Sequence, residues 1–116
     1  MTIEKIETLI IGGGQAGLAI SEHLSKHRQP HVIVERNRVA ESWRTARWDS
    51  LVANGPAWHD RFPTLAFAGI DPNSFAPRDR IVAYFETFAA QINAPVRCGV
   101  DVTLVTRKAD GSGFDA

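Results

Sequence analysis

The sequence predicts an α/β fold built on a parallel β-sheet. Three observations predict it: apolar runs alternate with stretches of helical hydrophobic spacing, a glycine-rich turn joins the first run to the first of these stretches, and a second, β-branched run follows. Alternation of strands and helices is typical of a parallel sheet with helices on its faces. At 116 residues, one domain or part of one is expected.

The first part of the chain, residues 1–36, is a strand–helix–strand unit. Ile6–Ile11 is an apolar run between charged residues and glycine, which is typical of a buried parallel strand. Apolar residues recur at helical spacing over Gln15–His27, and Pro30 ends that pattern. His31–Glu35 is rich in β-branched residues and predicts the second strand.

Residues 37–77 form a long segment without clear periodicity. It contains all three tryptophans and four of the six prolines. A loop of this length is uncommon in a compact domain and indicates function or disorder. Its aromatic content argues against disorder. A short helix around Val39–Arg44 is the only regular element expected there.

The last part, residues 78–116, is predicted to be a helix followed by a hairpin. Arg78–Asn93 has an apolar stripe at helical spacing, formed by Ile81, Phe85, Phe88 and Ile92. Val96–Cys98 is a short strand, and Val100–Arg107 alternates like a half-buried antiparallel strand. A turn over Asp110–Gly113 leads to a strand starting at Phe114. We expect an incomplete domain, with the start of an antiparallel β-meander.

Composition and charge exclude several classes of function. The formal net charge is zero, so no broad attraction to nucleic acid or to an anionic membrane is expected. No signal peptide or membrane-spanning stretch is evident. The single cysteine, Cys98, cannot form an internal disulfide and is expected to be a small buried residue in a reducing, cytoplasmic setting. No metal site is predicted.

The glycine-rich turn carries the chemistry. It matches the pattern G-x-G-x-x-G in the residues Gly12, Gly13, Gly14, Gln15, Ala16 and Gly17. The pattern alone is weak, but a predicted strand precedes it and a predicted helix follows, as a dinucleotide-binding turn requires. The first glycine permits the tight turn, the second lets a pyrophosphate approach, and the third lets the helix pack closely. The helix N-terminus offers free N–H groups to phosphate oxygens.

Glu35 is the second feature of this dinucleotide fingerprint. It ends the second strand about 20 residues after the glycines, where a carboxylate accepts hydrogen bonds from a ribose diol. A 2′-phosphate would be repelled there, so the turn is expected to bind FAD or NAD rather than NADP. Together these features predict a Rossmann-like FAD/NAD(P)-binding domain. The fingerprint itself does not separate FAD from NAD.

Beyond the fingerprint, the chain resembles the flavin-containing monooxygenases and their Baeyer–Villiger and N-hydroxylating relatives. The resemblance lies in the glycine turn and in the segments Val34-Glu35-Arg36, Ser42-Trp43-Arg44, Arg47-Trp48-Asp49-Ser50-Leu51, Asn54, Pro77-Arg78-Asp79 and Val100-Asp101-Val102. It covers essentially the whole chain, although the glycine turn is generic. Where the family often has glycines just before the tryptophan, this chain has Ala40-Glu41-Ser42.

The resemblance implies roles for five residues. Arg36 would bind the cofactor beside Glu35. Trp43 and Arg44 would lie near the flavin or the pyrophosphate of FAD, and the backbone of Val102 would contact adenine. Asn54 would lie at the flavin edge near the nicotinamide and act in catalysis. Alternative roles are purely structural: core packing for Trp43, a surface charge for Arg44 and a simple turn for Asn54.

The family also implies an activity for the complete enzyme. It would use FAD and NADPH to insert one oxygen atom from O₂ into a soft nucleophile or ketone, with the NADPH site largely outside this chain. This segment would then be a fragment that is inactive alone, or a second chain would supply the missing domains. Two alternatives stay open: another FAD-dependent oxidoreductase, such as a flavin disulfide reductase, and a non-catalytic dinucleotide-binding remnant. The lack of a C-x-x-C pair disfavours a disulfide reductase whose cysteine pair lies in the FAD region.

Overall fold

A computed structural model describes residues 2–116 of the chain. The glycine turn lies between the first strand and the first helix, as the sequence predicts. The elements, in chain order, are β1 (Leu9–Ile11), α1 (Gln15–Lys26), β2 (Val32–Glu35), α2 (Glu41–Thr45), α3 (Arg78–Gln91), β3 (Val96–Cys98), β4 (Thr106–Arg107) and β5 (Phe114–Asp115).

A three-stranded parallel sheet forms the centre of the fold. Its strand order is β1-β2-β3, with Ile33 of β2 opposite Ile10 on one side and opposite Val96 on the other. The connection from β1 to β2 runs through α1, and the connection from β2 to β3 contains α2 and α3. The predicted α/β class with a parallel sheet is confirmed. Within residues 2–116, β1 pairs with β2 alone and so forms an edge of the sheet.

The hydrophobic core lies between the sheet and the helices α1 and α3. Leu18 of α1, Ile33 of β2 and Phe88 of α3 are fully buried. The ring of Phe62, from the long connecting segment, stacks on Phe88 with 3.7 Å between ring centroids. Burial of this aromatic pair stabilises the fold and fixes the connecting segment on α3. The predicted apolar stripe of this helix is confirmed at Ile81, Phe85 and Phe88.

The connecting segment is an ordered ribbon rather than an open loop. Residues 51–58 run antiparallel to residues 72–78, joined by backbone hydrogen bonds from Ala53 N to Ala76 O (2.9 Å) and from Arg78 N to Leu51 O (3.1 Å). The buried hydroxyl of Tyr84 accepts a hydrogen bond from the N–H of Phe62 at 2.6 Å and donates one to the carbonyl of Leu65 at 2.5 Å. These bonds satisfy backbone groups that would otherwise be buried unpaired.

One predicted strand is largely wrong. Residues 100–105 are not a strand, and of the expected strand Val100–Arg107 only Thr106–Arg107 is paired, with Phe114–Asp115. Gly99, directly after β3, has φ +75°, a conformation outside the range of a strand. The β4–β5 hairpin forms a separate two-stranded sheet, so Leu104 lies 67% exposed instead of half-buried.

Smaller differences concern strand ends and one side chain. The first strand begins at Leu9 rather than Ile6, and α2 begins two residues later than expected. Cys98 is exposed, which contradicts the expectation that it is buried. The turn between β4 and β5 is confirmed, with Gly111 at φ +74°. Among the residues described, no helix is long and apolar enough to cross a bilayer.

Candidate functional site at the glycine turn

The glycine turn has the geometry that its sequence pattern requires. Gly12 N donates a 2.8 Å hydrogen bond to Val34 O, and its φ of +107° is one that residues with a Cβ rarely adopt. At Gly17, an added Cβ would lie 2.0 Å from the carbonyl oxygen of Gly12 and 3.3 Å from a methyl carbon of Ile10. The third glycine is therefore needed because α1 packs directly on the turn and on β1.

The second glycine of the pattern leaves open space. A Cβ added at Gly14 would meet no atom within 4 Å, and the residue has an ordinary φ of −94°. No side chain caps the N-terminus of α1, and Gln15 and Ala16 in its first turn are exposed. The first N–H groups of a helix lack partners within it, and the helix dipole favours an anion there.

Glu35 connects the end of β2 to the glycine turn. One carboxylate oxygen accepts a hydrogen bond from Gly13 N at 3.0 Å, and the other accepts one from Asn37 N at 2.6 Å. An ionised carboxylate has about four acceptor positions, so these two bonds leave capacity for a ligand's hydroxyl groups. The contact also explains why Gly13 is a glycine, because a Cβ there would lie 3.3 Å from the Glu35 side chain.

These elements surround one cavity of about 400 Å³, which we call the glycine-turn pocket. Its volume lies within the usual range for small-molecule sites. Its walls come from the glycine turn, the end of β2, helix α2 and the segment after β3. The lining residues are Ile11, Gly12, Gly14, Val34, Glu35, Arg36, Asn37, Glu41, Ser42, Thr45, Ala46, Val100, Asp101 and Val102.

The structure brings together five of the residues singled out in the sequence. Gly12, Gly14, Glu35, Arg36 and Val102 all line the pocket. Val102 lies there because the segment after β3 is attached to β2 by a hydrogen bond from Val100 N to the carbonyl of Glu35, 3.1 Å long. The other predicted fingerprint residues, Gly13, Gln15, Ala16 and Gly17, build the turn and the start of α1 without lining the cavity.

Trp43 and Arg44 point to other parts of the molecule. Trp43 is partly buried against the hydrophobic core, and the guanidinium of Arg47 lies 5.3 Å from the centroid of its ring. Arg44 forms an ion pair with Glu86 of α3 and a hydrogen bond to the carbonyl of Val39. Neither residue lines the glycine-turn pocket. Their proposed contacts with FAD stay predictions of the resemblance.

Helix α2 presents other side chains to the pocket. Ser42 and Thr45, three residues apart and so on one helix face, line it together with Glu41 and Ala46. Sequence reasoning missed these residues, and the i, i+3 spacing of two hydroxyls next to Trp43 is the signal that could have found them. Arg38 donates two hydrogen bonds to the Glu41 carboxylate, at 2.7 and 3.1 Å, and these lower the pKa of Glu41.

The residue before α2, Ala40, has an unusual backbone conformation for a residue other than glycine. Ala40 has φ +62° and ψ +23°, the left-handed conformation that glycine adopts without cost. Its side chain is buried, and its N–H donates a hydrogen bond to Gly13 O at 3.2 Å. Alanine thus holds here a backbone conformation that glycine would adopt without strain.

Asn54 lies outside the pocket, on the antiparallel ribbon, and its side chain is exposed. The turn that follows it is held by Asp60, whose carboxylate accepts a 2.7 Å hydrogen bond from Gly55 N. A hydrogen bond from His59, and then the one from Gly55, lower the pKa of Asp60. A Cβ at Gly55 would lie 2.5 Å from this carboxylate, so a larger residue there would displace the Asp60 side chain. The catalytic role of Asn54 stays a prediction.

Known proteins of similar sequence are oxidoreductases. No family model matches the chain. An uncharacterized CzcO-like oxidoreductase from Geobacillus kaustophilus is 36% identical over 104 residues, 89% of this chain and 29% of that protein. Indole-3-pyruvate monooxygenase YUCCA1 from Oryza sativa subsp. japonica is 32% identical over 95 residues, 81% of this chain and 23% of that protein. The chain thus spans less than a third of the length of these relatives.

Solved structures share the fold at lower identity. A flavin monooxygenase from Stenotrophomonas maltophilia matches 93% of this chain and 32% of its own, with a TM-score of 0.80 and 22% identity. A bacillithiol disulfide reductase from Bacillus cereus matches 91% of this chain and 32% of its own, at 0.81 and 21%. OTEMO, solved with FAD and NADP, matches 94% of this chain and 22% of its own, at 0.75 and 16%.

The sequence relatives and the fold agree with the resemblance seen in the sequence. The alignment with the oxidoreductase from Geobacillus kaustophilus spans 89% of the chain whose structure shows the parallel sheet, the glycine turn and the acidic residue at the end of β2. Over more than four-fifths of its length this chain is similar in sequence to flavin-monooxygenase-like oxidoreductases, and its fold is that of an FAD-binding Rossmann-like domain.

Proposed function

We propose that the chain binds FAD in the glycine-turn pocket. The observation that carries the proposal is the hydrogen bond between the Glu35 carboxylate and Gly13 N, because it joins the ribose-recognising acid to the phosphate-binding turn in one cavity. Dinucleotides bind at this place in open α/β sheets, outside the carboxyl ends of the strands. The relatives' names and the FAD in a structure of the same fold support FAD over NAD.

The walls of the pocket suggest a place for each part of the adenosine diphosphate half. The open backbone at Gly14 and the N-terminus of α1 would receive the diphosphate. Glu35 would accept hydrogen bonds from the ribose diol, and the segment ending at Val102 would contact adenine. Arg36 lines the pocket and has no acidic partner among residues 2–116, so its guanidinium is available to a phosphate oxygen.

The residues present fit such a ligand in a second respect. Gly14 is the one glycine of the turn that the fold itself does not require, because its φ is ordinary and an added Cβ would meet no atom within 4 Å, whereas Gly12 has a positive φ. At Gly13 and Gly17, by contrast, a Cβ would meet atoms of Glu35 or Gly12. A glycine that the fold does not require is expected where a ligand must approach the backbone closely.

We further propose that the complete enzyme is an NADPH-dependent flavin monooxygenase acting on a soft nucleophile or ketone. FAD supplies the redox chemistry in such an enzyme, accepting electrons from NADPH and passing them to O₂. This chain would bind and orient the cofactor, with Asn54 at the flavin edge. The NADPH site and the substrate pocket would lie outside these residues, in the same protein or in a second chain, and the segment alone would be inactive.

A second candidate function is another FAD-dependent oxidoreductase. The bacillithiol disulfide reductase fold, at a TM-score of 0.81, fits this chain as well as the monooxygenase fold at 0.80. Cys98, the only cysteine of these 116 residues, is exposed. A non-catalytic remnant that binds a dinucleotide remains the third reading, and it would share the glycine-turn pocket with the other two.

The experiment is an absorbance spectrum of the purified chain after incubation with FAD and gel filtration. Flavin bands retained by the wild type and by Asp79→Asn, but lost in Glu35→Ala, would support the proposal. Asp79 is the matched control because it is an acidic residue whose side chain is 93% exposed and does not line the pocket. Binding of NAD with no binding of FAD would overturn it in favour of a simple NAD-binding domain.

A further inference from the structure

A second cavity lies on the antiparallel ribbon and shares no residue with the glycine-turn pocket. Its volume is about 290 Å³, and it is lined by Ala57, Trp58, Arg61, Ala66, Phe67 and Pro72. We call it the ribbon pocket. Four of these six side chains are wholly apolar, one is tryptophan and one is arginine, so a single charged group faces an otherwise apolar space.

The walls of the ribbon pocket are fixed by the fold. Trp58 N donates a 3.0 Å hydrogen bond to Pro72 O, which joins the two strands of the ribbon at the pocket itself. Phe67 stacks on the ring of Tyr84, with 4.0 Å between centroids, and Tyr84 belongs to the buried face of α3. The cavity therefore has a floor attached to the core and does not depend on a ligand to form.

Two groups of the ribbon pocket are exposed and available. Trp58 is 59% exposed, although large apolar side chains normally lose water when a fold is complete. Arg61 is exposed, and in the part of the chain described here its guanidinium forms no hydrogen bond and no ion pair with an acid. The neighbouring carboxylate of Asp60 is already engaged by Gly55 N and His59.

This combination is selective for one ligand chemistry. The flat faces of Trp58 and Phe67 favour a planar apolar body, which buries well against aromatic side chains. The guanidinium of Arg61 favours a carboxylate, which it can bind through two parallel hydrogen bonds. The lining contains no acidic residue, so no negative charge in the pocket repels an anion. Arg61 is the one charged residue of the lining, and its positive charge disfavours a cation.

We propose that the ribbon pocket is a binding site for a small aromatic carboxylic acid. Arg61 binds the carboxylate, and Trp58 and Phe67 hold the ring. The site is independent of the proposed FAD site, because the two cavities share no residue. A ligand here would contact the ribbon that carries Asn54 and the turn held by Asp60.

The test uses phenylacetate and phenylacetamide, two probes of the same size that differ in charge. Each is titrated into the ¹⁵N-labelled chain while the three tryptophan indole N–H signals are followed by NMR, with the Trp58 signal assigned from Trp58→Phe. We expect the Trp58 signal to shift in a saturable way, with affinity for phenylacetate about tenfold higher than for phenylacetamide, since hydrogen bonds to charged groups are the stronger ones.

Two variants distinguish a specific contact with Arg61 from a general effect of the protein's positive charge. Arg61→Gln should lower the affinity for phenylacetate to that for phenylacetamide, while Arg107→Gln, which removes another exposed arginine on the distant hairpin, should leave it unchanged. Equal affinities of the wild type for the two probes would overturn the proposal even if Arg61→Gln failed to fold. Shifts that do not saturate, or that require FAD, would overturn it as well.

Discussion

Replacement of Gly17 by alanine tests how closely α1 packs on the glycine turn. The added Cβ would lie 2.0 Å from the carbonyl oxygen of Gly12 and 3.2 Å from its carbonyl carbon. These are backbone atoms, so no side-chain rotation can relieve the contact, and α1 must move away from β1 by more than an ångström. Movement of Gly12 would also disturb the hydrogen bond from its N–H to the carbonyl oxygen of Val34.

The magnitude follows from two opposing effects. Forcing an extra carbon into a well-packed region costs about 1–3 kcal/mol. Alanine in a helix is about 1 kcal/mol more favourable than glycine, which offsets part of that cost. A contact with backbone belongs at the upper end of the range, so we expect Gly17→Ala to lower the free energy of unfolding by about 1–2 kcal/mol. For a domain of this size, that lowers Tm by roughly 4–8 °C.

The assay is thermal unfolding followed by circular dichroism, with Gly14→Ala as the matched control. Gly14 has φ −94°, and no atom lies within 4 Å of its added Cβ, so this variant should unfold within a degree or two of the wild type. The reasoning is refuted if Gly17→Ala unfolds at or above the wild-type temperature, or if both variants lose stability equally.

Three further predictions concern residues that hold the ribbon and α2. Tyr84→Phe should lower the free energy of unfolding by about 1–3 kcal/mol in urea, because it leaves buried backbone groups unpaired. Burial raises the pKa of Tyr84, so wild-type stability should fall as pH rises above about 10, a loss that Tyr84→Phe should lack. Asp60→Asn should lower the urea midpoint at pH 7. Hydrogen bonds lower the pKa of Asp60 in the folded protein. Its carboxylate therefore stabilises the fold at pH values above its usual pKa of 3.8, and this stabilisation is lost as the pH falls through the folded pKa. A difference in urea midpoint between Asp60→Asn and wild type that persists at pH 2 would contradict this. Ala40→Val should cost about 1–3 kcal/mol because a β-branched residue is strained at φ +62°, and Ala40→Gly should not; equal urea midpoints for the two would contradict the left-handed conformation.

The turn and its acid were predictable because they depend on local geometry. Gly12, Gly17 and Glu35 follow one another at fixed distances along a strand, a turn, a helix and a second strand, so their spacing in sequence sets their spacing in the fold. Glycine is needed at Gly12 because of its positive φ, and at Gly17 because of the close contact with the backbone of Gly12. Because such requirements restrict the residue type, they can be recognised in the sequence, and they predicted the binding turn that forms one wall of the pocket.

The rest of the site was less predictable because it depends on how distant segments pack. Arg44 carries a charge that suits a diphosphate, yet its partner is Glu86, 42 residues later in the chain. Ser42 lines the pocket and Trp43 does not, and the helix that carries both begins after a left-handed residue, Ala40, a conformation that an alanine in the sequence does not predict. Residues 100–105 alternate like a strand, but the bond from Val100 N is their one backbone hydrogen bond to the sheet, and no strand pairs with them among residues 2–116.

The central claim is that the bare backbone at Gly14 is kept for a diphosphate, and calorimetric titration of FAD tests it most directly. The titration compares the wild type with Gly14→Ala, after thermal unfolding has shown that both are equally folded. The account predicts saturable binding by the wild type and at least a tenfold weaker affinity for the variant, whose methyl group would occupy the space beside the phosphates. Equal affinities, or no binding by a folded wild type, would contradict it.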